Sequence, residues 1–412
     1  MKLLFAHESR YVEYNGELYS SRIDYNSFWT RYLEHFDSVT VMARAKPVDQ
    51  LPKGYMLSTG KRVRYVAIPY YIGLKEYLRK RSSIAKIIRN TVNKFDAYIF
   101  RVPGVLGNVA ASHVSKLGKK YVLEVAGDPW EVGKTLPLPL PIRWGLSLYS
   151  LIKLRQIVSQ SSGAVYVTKS VLQKRYPPPK EIFTASISNV HLEDSWLISL
   201  QDTNRMERIK SYKARICDFN TDAIKIGAIG HLYTVKSPLE LVKTIATCIK
   251  KGLNLEVHFA GDGPLKNEIQ KLAAKYGITQ RVICHGQIAS GKPVMDFLDS
   301  IDVFVQFSKT EGLPRALIEA MARGCPAIAS RVGGIPDLLP EQWLVKPANV
   351  NELANKISKL LSSHDYLLKA LRENIKTAQH YKASILQAQR KIFFARALQL
   401  FKNELLKRDN NG

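Results

Sequence analysis

The chain has 412 residues, and 46% hydrophobic against 23% charged residues is the composition of a globular protein, which excludes wholesale disorder. At about 150 residues per domain, this length predicts two or three domains. The 61 basic and 35 acidic residues leave a net charge of +26, which points to an anionic partner: nucleic acid, an anionic membrane or phosphorylated substrates.

No apolar run approaches the ~18 residues a membrane helix needs, and Met1–Glu8 holds too short an apolar stretch for a signal peptide. Cys217, Cys248, Cys284 and Cys325 show no CxxC spacing, so free thiols in a reducing cytosol are expected. The charge is uneven. Residues 51–100 hold 11 basic and 2 acidic residues, residues 251–350 hold 11 and 10. The basic surface is therefore expected on the N-terminal half and the C-terminal tail.

In chain order, strands are predicted at Lys2–His7, Val39–Ala43, Val63–Ile68, Ala97–Arg101, Lys120–Val125 and Gly163–Val167. Helical patterns fall at Ser27–His35, Lys75–Lys94 and Leu106–Leu117. The prolines of Leu136–Pro141 and Pro177–Pro179 act as breakers. Residues 190–222 lose the strand rhythm and are expected to be a linker. A second alternation follows, with strands at Ile224–Ile229, Leu255–Ala260, Val282–His285, Asp302–Phe307, Pro326–Ala329 and Trp343–Val345. Its helices fall at Leu239–Lys251, Leu265–Tyr276, Val294–Leu298, Arg315–Arg323 and Asn351–Leu361. A long helical pattern, roughly Lys382–Lys407, ends the chain. Two successive strand–helix series predict an α/β protein of two Rossmann-like domains with parallel sheets, its site in a cleft between them.

The stretch Phe307–Gly324 reads as strand end, glycine-containing loop and helix. Pro314 suits the first helical turn. The N–H groups of Gly312, Leu313 and Arg315 can receive a phosphate at the helix start. Glu311 lies on the loop and Glu319 one turn into the helix. This pair suits a nucleotide sugar, although a solvated loop Glu and an ordinary helical Glu would read alike from spacing alone.

Glu311 to Glu319 resembles the E-x7-E motif of retaining glycosyltransferases of family 4, which have the GT-B fold. Cys325–Asp337 continues the likeness. So do Gly230-His231-Leu232-Tyr233-Thr234-Val235-Lys236, Gly261-Asp262-Gly263-Pro264 and His285-Gly286-Gln287-Ile288. The resemblance spans 224–345 in order and implies an N-terminal acceptor-side domain over 1–200. A nucleotide-sugar donor domain over 215–380 is implied too, with the final helix, about 382–408, packing back on the first domain.

By position, the resemblance implies that Lys236 pairs with the donor diphosphate. Glu319 would hold the ribose hydroxyls and Glu311 the transferred sugar, with Gln287 and Ile288 near the base. His231 stands where the family has arginine, a weaker phosphate partner. Gly16 is the candidate for the family's glycine-rich loop over the sugar and phosphate, or a mere turn. Asp128 or Glu131, after the strand ending at Val125, fits the acid beside the acceptor hydroxyl; Asp128-Pro129 also reads as turn chemistry. No Asp-x-Asp pair is present, and Asp296, Asp299 and Asp302 read as decoration of a helix and strand start. No metal and no cofactor are expected.

The basic stretch Lys75–Lys94 and the apolar Leu136–Leu154 both suit a membrane surface, or are ordinary soluble helices. The implied enzyme is cytoplasmic and peripheral at an anionic membrane. It would transfer sugar to a lipid-linked or surface glycan and would not bind nucleic acid. A non-catalytic GT-B partner subunit and a GT-B sugar-nucleotide epimerase are the alternatives.

Overall fold

The structure is a computed structural model that describes every residue except Arg22, Pro137, 200–202 and 410–412. Pro137, one of the expected breakers, and 200–202 of the expected linker lie outside the described residues. The chain divides into two compact units. One is Met1–Gly133 with Pro139–Ile187 and Gln387–Gly412; the other is Lys134–Leu138 with Ser188–Leu386.

In the first unit, strands β1 (Lys2–Tyr14), β2 (Glu17–Ser20), β3 (Ser38–Pro47), β4 (Met56–Leu57), β5 (Val63–Pro69), β6 (Ala97–Val102), β7 (Val122–Val125), β8 (Gly163–Tyr166) and β9 (Phe183–Ser186) share one sheet. Its parallel part is ordered β5-β3-β1-β6-β7-β8-β9, a doubly wound arrangement that grows outward from β1 in both directions. Helices α1 (Tyr25–Phe28), α2 (Thr30–Leu33), α3 (Gly73–Val92), α4 (Val105–Lys116), α5 (Pro129–Lys134), α6 (Leu140–Ser159) and α7 (Val171–Arg175) connect the strands.

Two expectations change here. The first strand, expected over Lys2–His7, runs on to Tyr14, because β1 continues into an antiparallel hairpin with β2. The turn is Asn15-Gly16 with φ of 50° and 76°, the left-handed pair that a two-residue hairpin requires. The expected helix Ser27–His35 is two single turns. They part at Trp29, whose ring is fully buried and whose Nε1 donates to Ser58 O at 2.8 Å.

The second unit carries α8 (Thr203–Arg215), β10 (Ile224–Ile229), α9 (Pro238–Lys250), β11 (Leu255–Ala260), α10 (Lys266–Lys275), β12 (Val282–Gly286), α11 (Lys292–Ser300), β13 (Val303–Gln306), α12 (Arg315–Ala322), β14 (Ala327–Ser330), β15 (Leu344–Val345), α13 (Val350–Leu360) and α14 (His364–Ala378). The sheet order is β12-β11-β10-β13-β14-β15, all parallel. β13 is apolar almost throughout and buried, as expected of a parallel strand covered on both faces.

The segment expected as a linker is structured. In α8 the guanidinium of Arg205 is buried and donates to the carbonyls of Leu298, Ile301 and Arg323, tying the helix to the second unit. The boundary accordingly falls at Ile187/Ser188. Helix α14 carries no separate element in the sequence reading; it starts where Ser363 Oγ accepts from Asp365 N. The last helix, α15 (Ala383–Asp409), belongs to the first unit from Gln387 onward. There Phe393 meets Phe183 at 5.2 Å and Phe394 meets Tyr32 at 5.0 Å between ring centroids.

Candidate active site

The strand order of the second unit reverses between β10 and β13, the first strands of its two halves. Chains leaving neighbouring strands in opposite directions open a crevice at their carboxyl ends, where open α/β sheets bind ligands. The loop after β10 carries His231 and Lys236; the loop after β13 carries Glu311, Gly312 and Leu313. Both loops are fastened together, because Lys309 N donates to Val235 O at 2.7 Å.

Across this switch point Lys236 Nζ donates to Glu311 Oε1 at 2.5 Å. The same oxygen accepts from Gln306 Nε2 at 2.7 Å and Ser308 Oγ at 2.6 Å. Gln306 and Ser308 are buried, and Gln306 Nε2 also reaches Ser308 Oγ at 2.8 Å. Gln306 Oε1 is a buried acceptor without a partner among the described residues. The sequence reading gives Gln306 a place in the strand Asp302–Phe307 but no role in the site. The signal for it is a polar side chain closing the otherwise apolar strand Val303–Gln306.

The turn after β14 holds the backbone of this loop from the other side. Gly334 N donates to Gly312 O at 2.6 Å. Gly333, at φ +51°, lies so close that an added Cβ would sit 1.9 Å from Glu311 O. Only glycine fits both the left-handed conformation and that contact. Gly261 is equally confined, 2.0 Å by the same measure from Gly230 O, which brings the turn after β11 against the loop that carries Lys236.

Glu319 is the fifth residue of α12 and half-buried. Burial pushes its carboxyl above the usual range, with Arg315 one turn earlier opposing. Among the described residues no donor is seen on its carboxylate, so its oxygens remain available to a ligand's hydroxyls. The N-cap of α12 is Pro314, which makes no side-chain cap, so its first N–H groups keep their affinity for an anion.

His231 is exposed beside Tyr233, ring centroids 6.0 Å apart. Gln287 and Ile288 follow β12, two strands from β10. At about 4.8 Å per strand this is roughly 10 Å across the sheet. Asp296, Asp299 and Asp302 are each committed: to Lys292, to Arg323, and to Arg215 with Lys225 N.

Two of the sequence-derived residues lie in the first unit. Gly16 forms the exposed hairpin tip. Asp128 is buried; its carboxylate accepts from Tyr176 OH at 2.6 Å and Trp130 N at 3.1 Å and pairs with Arg175, which also reaches Glu131 at 3.1 Å. A further buried group, given no role in the sequence reading, links β6 and β7. Glu124 accepts from Tyr32 OH at 2.5 Å and from two guanidinium nitrogens of Arg101 at 2.8 and 2.6 Å. Burial raises the Glu124 pKa, but Arg101, Arg31 and these hydrogen bonds outweigh it and hold the carboxyl below its usual range.

Two doubly wound units, the second carrying a lysine–glutamate pair at its switch point, have the architecture of the GT-B fold. Residues 213–379 match the family model of the group 1 glycosyl transferases. Protein CapJ of Staphylococcus aureus is 30% identical over 401 residues, covering 95% of this chain and 94% of that protein. The chain belongs to this glycosyl transferase family. The Vi polysaccharide biosynthesis protein VipC/TviE of Salmonella typhi is 33% identical over 109 residues, 26% of this chain and 18% of that one. Among solved structures, HepE of Anabaena in complex with UDP shares the fold at 15% identity with a TM-score of 0.61, covering 94% of this chain and 98% of that one.

Proposed function

We propose that the chain is a retaining, family 4-type glycosyltransferase. It moves a sugar from a nucleotide diphosphate sugar to a lipid-linked or growing surface glycan in polysaccharide, capsule or lipopolysaccharide biosynthesis. The observation that carries this reading is the Lys236–Glu311 pair at the β10/β13 switch point. The relatives point the same way: one is named for Vi polysaccharide biosynthesis, and a fold neighbour holds UDP.

In this reading the donor diphosphate lies at the start of α12, where Lys236 leaves Glu311 for the phosphate oxygens. Glu319 takes the ribose hydroxyls, and Gln287 and Ile288 flank the base. Glu311 stays fixed by Gln306 and Ser308 and faces the transferred sugar. The acceptor hydroxyl oxygen bonds to the anomeric carbon on the face the diphosphate leaves, so configuration is retained. The bond from that carbon to the diphosphate oxygen breaks, and a diphosphate oxygen takes the hydroxyl proton. Lys236 and the α12 N–H groups absorb the charge that develops on the leaving group, a preorganised effect worth about 3–4 kcal/mol per donor. We assign no metal or cofactor to this step. Asp128, already held by three partners, orders the loop after β7 rather than acting as base. We place the enzyme at the cytoplasmic face of an anionic membrane as a peripheral protein, on the strength of its +26 charge.

The test is thermal-shift titration with UDP-, GDP- and ADP-sugars on wild type, Glu319→Ala and Lys236→Ala. Stabilisation by one nucleotide series, lost in both variants, is the expected result. No stabilisation by any of them would remove the donor site.

A further inference from the structure

Helix α6 carries no acidic residue, and its exposed side over the first three turns is apolar. Leu140, Ile142, Trp144, Leu148, Tyr149 and Ile152 are each 50–66% exposed. Residues four apart share a helix face, so Leu140, Trp144, Leu148 and Ile152 form one stripe; Ile142 and Tyr149, seven apart, share a second line that meets the first at Ile152. Ser147 and, in the later turns, Leu154, Ile157 and Val158 are buried in the first unit. Apolar residues scattered singly over a surface are ordinary; six exposed over the first turns of one helix are not.

Next to this face lies a second feature. Helices α3 and α6 both pack on α4, and burial together with Tyr149 of α6 raises the pKa of Tyr77 on α3. On α3, Lys75, Arg79, Lys80, Arg81, Lys86 and Arg89 are all exposed. The one acidic residue of the helix, Glu76, turns back to accept from Ile72 N at 2.8 Å. Leu74 and Leu78 are exposed among these charges.

We propose that the apolar face of α6, flanked by the basic face of α3, is the surface on which the first unit rests in an anionic lipid bilayer. This inference rests on the membrane placement proposed above and names the surface responsible. Charge complementarity selects the occupant. A second copy of the chain meeting this face about a twofold axis would bring two sets of α3 cations together, which a self-complementary contact does not tolerate. Anionic headgroups neutralise them, at roughly 1 kcal/mol for each cation near the surface. The α6 side chains then sit at the boundary of headgroup and acyl chain, where Trp144 and Tyr149 suit the interface. A lipid-linked acceptor would lie in the same plane.

The experiment is co-sedimentation of the full chain with vesicles of phosphatidylcholine alone and of phosphatidylcholine with phosphatidylglycerol. One variant combines Trp144→Ser, Leu148→Gln and Ile152→Gln; the other combines Lys75→Gln, Arg79→Gln and Arg81→Gln. All six positions face outward, and thermal unfolding shows that each variant is folded. Wild type is expected to bind phosphatidylglycerol vesicles and to bind phosphatidylcholine at least about tenfold more weakly. The α6 variant should lose about tenfold or more at any salt concentration, and the α3 variant should lose the salt-sensitive part. Unchanged vesicle binding by the α6 variant overturns the proposal. So does a wild-type dimer that the α6 variant converts to monomer without change in vesicle binding. Nucleotide binding, measured separately, is untouched by either result, so failure of this proposal and failure of the transferase reading are told apart.

Discussion

Lys236 and Glu311, 75 residues apart in sequence, meet at 2.5 Å across the point where the second unit's sheet reverses its strand order. The two side chains form a salt bridge with each other. A carboxylate oxygen that already takes bonds from Gln306 and Ser308 does not need the lysine to stay in place. In the function proposed above, the lysine is the cation that passes to the donor diphosphate while its former partner remains positioned.

Substitution at this pair should separate the two roles. Lys236→Ala is expected to lower kcat by about 10²–10³-fold and to weaken nucleotide affinity, because it removes the cation that stabilises the charge on the leaving group. Glu311→Gln keeps the shape and should lower kcat while leaving nucleotide affinity within a few-fold of wild type. Steady-state kinetics beside nucleotide titration checks both. Equal loss of affinity in the two variants would mean that the pair acts only as a structural tie.

Gln306 should act as a positioning residue. Gln306→Leu leaves the volume of the buried site nearly intact but frees Glu311 from one of its fixed donors. A fall in kcat of about tenfold with KM little changed is expected, since a small misplacement of a reacting group is costly. An equal change in kcat and KM would argue against it.

Glu319 links stability to pH. Its folded carboxyl sits above the ordinary 4.5, pushed there by burial. A group whose folded pKa is raised disfavours the folded state wherever it is ionised, so its penalty is full above the folded pKa and fades as pH falls toward the unfolded value. Glu319→Gln should therefore raise Tm at neutral pH, by an amount equivalent to about 0.5–2 kcal/mol, and lose the benefit in mild acid. The same substitution should weaken donor binding. In wild type, donor affinity should fall as pH drops through the raised pKa. A Tm lowered by Glu319→Gln at neutral pH would contradict this.

Gly333→Ala tests the close approach behind the loop. A methyl group cannot lie 1.9 Å from Glu311 O, and φ of +51° is unfavourable for alanine. A loss of about 1–3 kcal/mol in unfolding experiments is expected, together with reduced turnover, because the strain is relieved by moving Glu311. Full activity in a folded variant would show that the turn can yield without disturbing the site.

In the first unit, Glu124→Ala leaves the half-buried Arg101 without its counter-ion and Tyr32 OH without its acceptor, and should destabilise by about 2–4 kcal/mol. Urea unfolding followed by circular dichroism measures it.

Much of the fold was legible because parallel strands buried on both faces read as short apolar runs; Ile224–Ile229 and Leu255–Ala260 fall where the sequence places them. The loop bearing Glu311, with Pro314 ahead of a helix, was legible for the same local reason. What stayed hidden depends on distant partners. The polar segment around Arg205 reads as linker, yet its guanidinium finds buried carbonyls about a hundred residues away. The strand expected to end at His7 runs on to Tyr14 because a hairpin pairs its far end. The role of Gln306 exists only once Glu311 is folded over it, and Asp128 looks available until Arg175 and Tyr176 take its oxygens.

The most direct test of the account is transfer itself. Membranes supplying lipid-linked glycan are incubated with the wild-type chain, or with Lys236→Ala, and the nucleotide sugar that stabilises it, labelled in the sugar. The anomeric configuration of the isolated product is read by NMR. The account predicts labelled glycan of the same configuration as the donor from wild type and almost none from the variant. Product formed equally well by Lys236→Ala, or with inverted configuration, would contradict it.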